Sequence, residues 1–115
     1  MLHNKRRWSL YPVETAQELA ELLTTQCWTL CTGFEYAGIW YLNDSTSEDG
    51  IAEYAVIYEG HQIESVTFGW CGPEAALRHI LRVTAQAEEL LKEPWSHPVE
   101  PRVEDWEKHR CRHCR

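Results

Sequence analysis

The sequence lacks any long hydrophobic run and any recognisable secretory leader. No stretch of about 18 consecutive apolar residues occurs, so no segment has the usual length and composition of a transmembrane helix. The first residues are basic, but no apolar segment of the kind found in signal peptides follows them. These two absences predict a soluble, cytoplasmic protein with no membrane partner.

The common catalytic and phosphate-binding motifs are also missing. The chain contains no Gly-rich phosphate loop, no serine nucleophile elbow and no zinc-protease motif. The polar segment 43–50 contains Asp44, Glu48 and Asp49 but lacks the residue spacing of a calcium-binding loop, so a solvated hairpin loop is expected there. With no assembled catalytic set, a non-enzymatic role is the leading interpretation.

Basic residues are scarce in the body of the chain. Residues 13–101 contain three basic residues against fifteen acidic ones, and the whole chain has a formal net charge of −7. Residues 1–12 and 102–115 are basic by contrast. Because phosphate contacts supply most of the affinity for nucleic acids, nucleic acid is expected to contact only the basic ends. The acidic body suits a protein partner with a basic surface.

The chain length and the proline distribution predict one domain with extensions. At 115 residues the chain fits a single folded unit. We expect a basic leader at 1–12, a domain at 13–93, a Pro-rich linker at 94–101 and a basic Cys/His tail at 102–115.

The spacing of apolar residues predicts an α+β fold with the element order α-β-β-β-α. The first helix is expected over 13–24, and its extension to residue 32 is left open because that stretch also tolerates a strand. Three strands are predicted at 34–42, 51–58 and 62–70, followed by a helix that starts at Pro73. The expected architecture is a three-stranded antiparallel meander with two helices packed on one face and an irregular C-terminal tail.

Cysteine and histidine residues cluster at the end of the chain. The number of cysteines is five, and an odd number argues against a complete disulfide framework. Two tail cysteines have the CxxC spacing of half a zinc site, and two histidines could add ligands. A second pair of cysteines could complete the site if their segment is helical. The candidate zinc ligands are Cys111, Cys114, His109 and His113, with Cys27 and Cys31 as the second pair. The alternative is a tail whose thiols bind metal only adventitiously.

Cys71 is a weak candidate for a catalytic nucleophile. It follows a predicted strand and precedes a predicted helix, where the helix dipole stabilises a thiolate. A nearby histidine would be needed as the base, and the sequence does not place one there. The alternative interpretation is a buried, inert cysteine.

Aromatic residues are abundant, with six Trp and five Tyr. Such residues either fill a core or form a binding surface, because each combines a large apolar area with a polar group. On the predicted strands we select four candidates for partner binding: Tyr36, Trp40, Tyr54 and Tyr58.

These features predict an accessory or regulatory subunit that docks on another protein through an acidic, aromatic-rich surface. An exposed sheet edge or aromatic face would also allow a homodimer. The first alternative is a zinc-binding, nucleic-acid-associated protein that works through its C-terminal tail. The second is a small cysteine-dependent enzyme that uses Cys71.

Overall fold

The computed structural model describes residues 7–24, 33–47, 51–68 and 72–104 of the chain. These residues form an α+β fold with a six-stranded mixed sheet, a separate two-stranded sheet and two helices. The elements in chain order are β1 (Arg7–Ser9), β2 (Tyr11–Val13), α1 (Ala16–Thr24), β3 (Gly33–Tyr36), β4 (Ile39–Thr46), β5 (Ala52–Tyr58), β6 (His61–Phe68), α2 (Gly72–Leu91), β7 (His97–Pro98) and β8 (Arg102–Glu104). The predicted α+β class and both predicted helices are confirmed.

The large sheet has the strand order β2-β3-β4-β5-β6-β7. β2 pairs with β3 in parallel, and every other neighbouring pair in this sheet is antiparallel. The small sheet consists of β1 and β8, which pair in parallel. The prediction of three strands was therefore wrong in number, although β4, β5 and β6 do form an antiparallel meander.

The predicted strand 34–42 is in fact a hairpin. Ala37 and Gly38 have positive φ angles of 54° and 77° and form the two-residue turn between β3 and β4. Two-residue hairpin turns of type I′ require a positive φ at both central positions. The turn pairs Tyr36 with Ile39, so Ile39 and Tyr41 share a face with Tyr36, and Trp40 moves to the opposite face. A continuous strand would have placed Tyr36 and Trp40 on the same face.

A bulge modifies the pairing of β5 with β6. The register shifts between Val56 and Ile57, which leaves Ile63 as the extra residue on β6. As a result, Ile63 and its neighbour Glu64 both turn toward the helices, Ile63 into the core and Glu64 toward α2. The predicted alternation had placed these two residues on opposite faces.

Local sequence signals explain where the helices begin and what they bury. Thr15 caps α1, since its hydroxyl accepts a hydrogen bond from the Glu18 backbone N–H at 3.1 Å. The buried positions of each helix recur at intervals of three and four residues, as expected for an amphipathic helix. They are Leu19, Leu22 and Leu23 in α1, and Ala76, Ile80, Val83 and Ala87 in α2.

The main core lies between the six-stranded sheet and the two helices. Tyr41, Tyr54 and Phe34 are the largest side chains that are fully buried in it. Phe34 stacks on Tyr41 with ring centroids 4.7 Å apart, and Tyr54 meets Phe34 edge-on at 5.9 Å. Part of the aromatic excess in the sequence therefore fills the core.

The short strands near both ends of the described chain were not predicted from the sequence. β1, β2, β7 and β8 are only two or three residues long, and two of them contain a proline. Proline cannot donate to a strand ladder and is confined to edge positions, and β2 and β7 form the two edges of the large sheet. Two or three residues are too few to show a periodic pattern. Most of these residues were therefore predicted to belong to the leader, the linker and the tail.

Candidate partner-binding groove

The face of the large sheet that points away from the helices is termed the outer face. It carries a second, smaller apolar cluster formed by Leu10, Leu42, Ala55 and Ile57, with Trp40 and Val99 packed against it. Leu10 lies just before β2 and Val99 just after β7, so segments from both ends of the described chain cover this face. These two segments leave an opening at one end of the sheet, where the β3–β4 turn and the β5–β6 turn lie.

That opening is a groove of about 450 Å³, here termed the Trp40 groove. It is lined by Gly38, Trp40, Ile57, Glu59, Gly60, Val99, Glu100 and Pro101. Sites for small ligands or inserted side chains have volumes of roughly 300–1,000 Å³, so the groove is large enough to hold part of a partner.

The walls of the groove come from three parts of the fold. Ile57 of β5 forms an apolar base and is only 3% exposed. Trp40 stands next to it, since the two residues pair across β4 and β5. The opposite wall is the segment after β7, which is tied to the β5–β6 turn by a hydrogen bond from the Val99 N–H to the Gly60 carbonyl at 2.9 Å.

Two glycines keep the mouth of the groove open. Gly38 and Gly60 have φ angles of 77° and 75°, a conformation that L side chains rarely adopt. A Cβ atom built on either glycine would have no neighbour within 4 Å. The backbone of both turns can therefore be approached closely by a partner.

A carboxylate fixes the orientation of the Trp40 ring. The Trp40 indole N–H donates to the Glu35 carboxylate, with 3.3 Å between Nε1 and Oε2, and the two residues lie directly opposite each other on β4 and β3. The polar group of the indole is thereby satisfied away from the groove. The ring itself lines the groove and is half-buried.

The charged side chains that line the groove are both acidic. Glu59 and Glu100 stand at the rim, and both are exposed. The basic side chains of the 13–101 body belong to α2 and the residue that follows it, on the other side of the sheet. Along the chain, Arg102 directly follows Pro101 of the lining, and its backbone pairs with that of Arg7 across β1 and β8. The groove thus combines an apolar base, an aromatic wall and an acidic rim.

A second polar cluster lies on the helix side of the sheet. Glu64 Oε2 is 2.9 Å from His79 Nε2 and 3.7 Å from the Arg82 guanidinium. Arg82 is also 3.0 Å from His79 Nδ1. The same guanidinium nitrogen is 3.5 Å from His79 Nε2, so Arg82 contacts the imidazole near both of its ring nitrogens. Glu64, His79 and Arg82 together form one partly exposed polar cluster.

The Tyr41 hydroxyl is buried close to this cluster. Burial raises its pKa well above the usual range for tyrosine, the Glu64 carboxylate raises it further, and the nearby Thr84 hydroxyl opposes the rise. Among the residues that the structure describes, none forms a hydrogen bond with this hydroxyl. The Thr84 hydroxyl instead donates to the Ile80 carbonyl at 2.8 Å. The arrangement keeps Tyr41 neutral and is a core feature rather than a reactive one.

The structure separates the four aromatic residues predicted to bind a partner. Only Trp40 lies on the outer face. Tyr54 is 1% exposed and belongs to the main core, which leaves it no surface for a partner to contact. Tyr36 and Tyr58 pack at the edge of the main core on the helix side, and the Tyr58 hydroxyl donates to Glu88 at 2.6 Å.

All the cysteines and both tail histidines lie outside the described residues. They are Cys27, Cys31, Cys71, Cys111, Cys114, His109 and His113. The zinc site and the catalytic role of Cys71 therefore stay predictions. Within the described ranges, no three His, Cys, Asp or Glu side chains are grouped so that they could hold a metal ion. No helix in the same ranges is long and apolar enough to cross a membrane.

Several groove residues could not be found from the sequence. The gap between the predicted strands 51–58 and 62–70 contains Glu59 and Gly60, but nothing in the sequence indicated that this gap would face Trp40 or the segment Val99–Pro101. That segment reaches the groove only because β7 pairs with the start of β6, where Pro98 lies opposite His61. No local pattern encodes this contact between distant parts of the chain.

Comparisons of the chain with protein-family models, with curated proteins and with solved structures found no match. The geometry and charge of the groove therefore carry the functional assignment.

Proposed function

We propose that this chain is a non-enzymatic interaction protein, an accessory or regulatory subunit that docks on a partner protein through the Trp40 groove. One observation carries the proposal: a groove of about 450 Å³ has a tryptophan in its wall, and among the described residues that line it the charged side chains are both acidic. Tryptophan at the centre of a recess is typical of residues that dominate binding energy at protein interfaces.

The surroundings of Trp40 suit such a role. Its ring is held by Glu35 and by packing against the outer-face cluster, so little side-chain freedom is left to lose on binding. The acidic rim speeds the encounter with a basic partner and disfavours acidic ones. The acidic body, which is poorly suited to nucleic acid, favours a protein as that partner.

The proposal is tested by affinity capture from cell extract with quantitative mass spectrometry. Trp40→Ala removes the aromatic wall, and loss of a binding hot spot of about 2 kcal/mol corresponds to a roughly thirty-fold weaker complex. Trp95→Ala is the matched control, since Trp95 is 58% exposed and does not line the groove. We expect proteins retained by the wild type and by Trp95→Ala to be lost from Trp40→Ala.

A second pair of variants removes charge without touching the core. Glu59→Gln with Glu100→Gln neutralises the rim, and Glu74→Gln with Glu89→Gln neutralises two exposed acids of α2. Only the first pair should weaken capture of the partner. If all four variants retain the same proteins as the wild type, the groove is not the docking site.

A further inference from the structure

We infer that the Trp40 groove receives an arginine side chain of the partner, with the guanidinium stacked on the Trp40 ring and paired with the carboxylates of Glu59 and Glu100. This inference rests on the proposed docking function and names the chemistry of the group that is inserted. It follows from the way the aromatic wall, the acidic rim and the apolar base are combined in one groove.

A cation is the occupant that the electrostatics favour. The face of an indole ring carries negative potential and attracts cations, arginine more often than lysine. Glu59 from the β5–β6 turn and Glu100 from the segment after β7 add two negative charges from two different parts of the lining. An acidic group would be repelled by these two carboxylates, and a purely apolar group would gain nothing from them.

The apolar lining favours arginine over a free small cation. The stem of an arginine side chain is apolar and can lie along Ile57 and Val99, while its head reaches the carboxylates at the rim. A guanidinium is planar and weakly hydrated, so it can stack on an aromatic ring and pair with a carboxylate through two hydrogen bonds at once. A lysine ammonium matches the charge but neither the stacking nor the paired geometry.

The indole N–H of Trp40 needs no hydrogen-bond partner on the inserted side chain. It is already donated to Glu35, so the ring needs no further polar partner. The open turns at Gly38 and Gly60 allow the backbone on either side of the inserted arginine to approach the groove.

The inference is tested by NMR titration of the full chain with peptides that differ at one central residue. The peptides are Ac-Gly-Ser-Xaa-Ser-Gly-NH₂ with Arg, Lys, Gln or Leu at the variable position. The indole N–H signal of Trp40, assigned with Trp40→Phe, and the amide signals of Gly38 and Gly60 report on the groove. We expect the Arg peptide to shift these signals saturably, with a Kd on the order of 1 mM, as is reasonable for a single anchoring side chain. The Lys peptide should bind several-fold more weakly, and the Gln and Leu peptides should cause no saturable shift.

The charge variants sharpen the test. Glu59→Gln with Glu100→Gln should weaken binding of the Arg peptide about ten-fold or more, whereas Glu74→Gln with Glu89→Gln should leave it unchanged. Equal binding of the Arg and Gln peptides, or no saturable shift with any peptide, would overturn the inference. Shifts of the same signals on dilution of the protein alone would identify a second copy of the chain as the occupant and would also overturn it.

The outcome is separable from that of the proposed function. If capture of the partner depends on Trp40 but the Arg peptide does not bind, the docking function stands and the arginine assignment fails. If neither capture of the partner nor binding of the Arg peptide depends on the groove, the docking function and the arginine assignment are both wrong.

Discussion

Substitution of Gly33 by alanine tests how closely the outer face is packed. Gly33 is buried at the start of β3, opposite Leu42 of β4. A Cβ atom there would overlap the Tyr41 carbonyl oxygen and come within 2.9 Å of the Leu10 side chain. Since the first of these neighbours is backbone within a strand ladder, it cannot move without breaking the pairing of β3 with β4.

The size of the effect follows from that geometry. Overpacking a well-packed site costs roughly 1–3 kcal/mol, and a clash with fixed backbone lies at or above the upper end, so we expect Gly33→Ala to cost about 3 kcal/mol or more. For a domain of this size, that loss corresponds to a fall in Tm of roughly 10 °C or more. Leu10 would also be displaced from the outer-face cluster, which would disturb the cover beside the Trp40 groove.

The assay is urea unfolding monitored by circular dichroism, with Gly38→Ala as the control. Gly38 has open space around it but a positive φ, so alanine there carries only the backbone penalty of about 1–2 kcal/mol. We expect the free energy of unfolding to fall clearly further for Gly33→Ala than for Gly38→Ala. If the two substitutions cost the same within error, the close approach of Gly33 to Tyr41 and Leu10 is not what the structure indicates.

Two further predictions concern the helix side. Burial raises the pKa of Tyr41 in the folded chain above 10.0, the ordinary tyrosine value. Ionisation of Tyr41 in the unfolded chain should therefore lower the free energy of unfolding at pH values above 10.0 and leave it unchanged at lower pH. Urea unfolding of Tyr41→Phe should show a smaller loss of stability at alkaline pH. At pH 7 the substitution should cost no more than about 1 kcal/mol, because no described residue forms a hydrogen bond with the hydroxyl. The same loss of stability at alkaline pH in Tyr41→Phe and in the wild type would contradict this prediction. The hydrogen bond to Glu88 raises the pKa of Tyr58, so Glu88→Gln should return it toward 10.0 in a ¹³C NMR titration, and a pKa that does not move would show that Glu88 is not the cause.

The regular parts of the fold were predictable because they are long and repeat one period. Ala76, Ile80 and Ala87 recur at helical spacing and identify α2. β5 is a short run of apolar residues buried on both faces, and β6 alternates between exposed and buried residues from Ser65 to Phe68. The hairpin at Ala37 was not predictable in the same way. Its turn lacks the Asn-Gly or Asp-Gly pair that marks such turns, so the aromatic run on either side reads as one strand.

The groove was predictable only in part. Trp40 and the acidic character of the surface follow from composition and pattern. The side of the sheet on which Trp40 lies depends on the two-residue turn at Ala37, and the contribution of Glu100 depends on the pairing of β7 with β6. Both depend on the number of residues in a turn or on contacts between distant segments, and neither has a signature in the local sequence.

Site-specific photo-cross-linking tests the central claim most directly. A benzoylphenylalanine placed at Pro101, which lines the groove beside Glu100, is compared with one placed at Ala85, which is exposed on α2. If the groove is the docking site, the chain labelled at position 101 will cross-link to a partner protein, and the linked peptide will contain an arginine next to the attachment point. Cross-linking from position 85 but not from position 101 would place the partner on the helices and contradict the assignment of the groove.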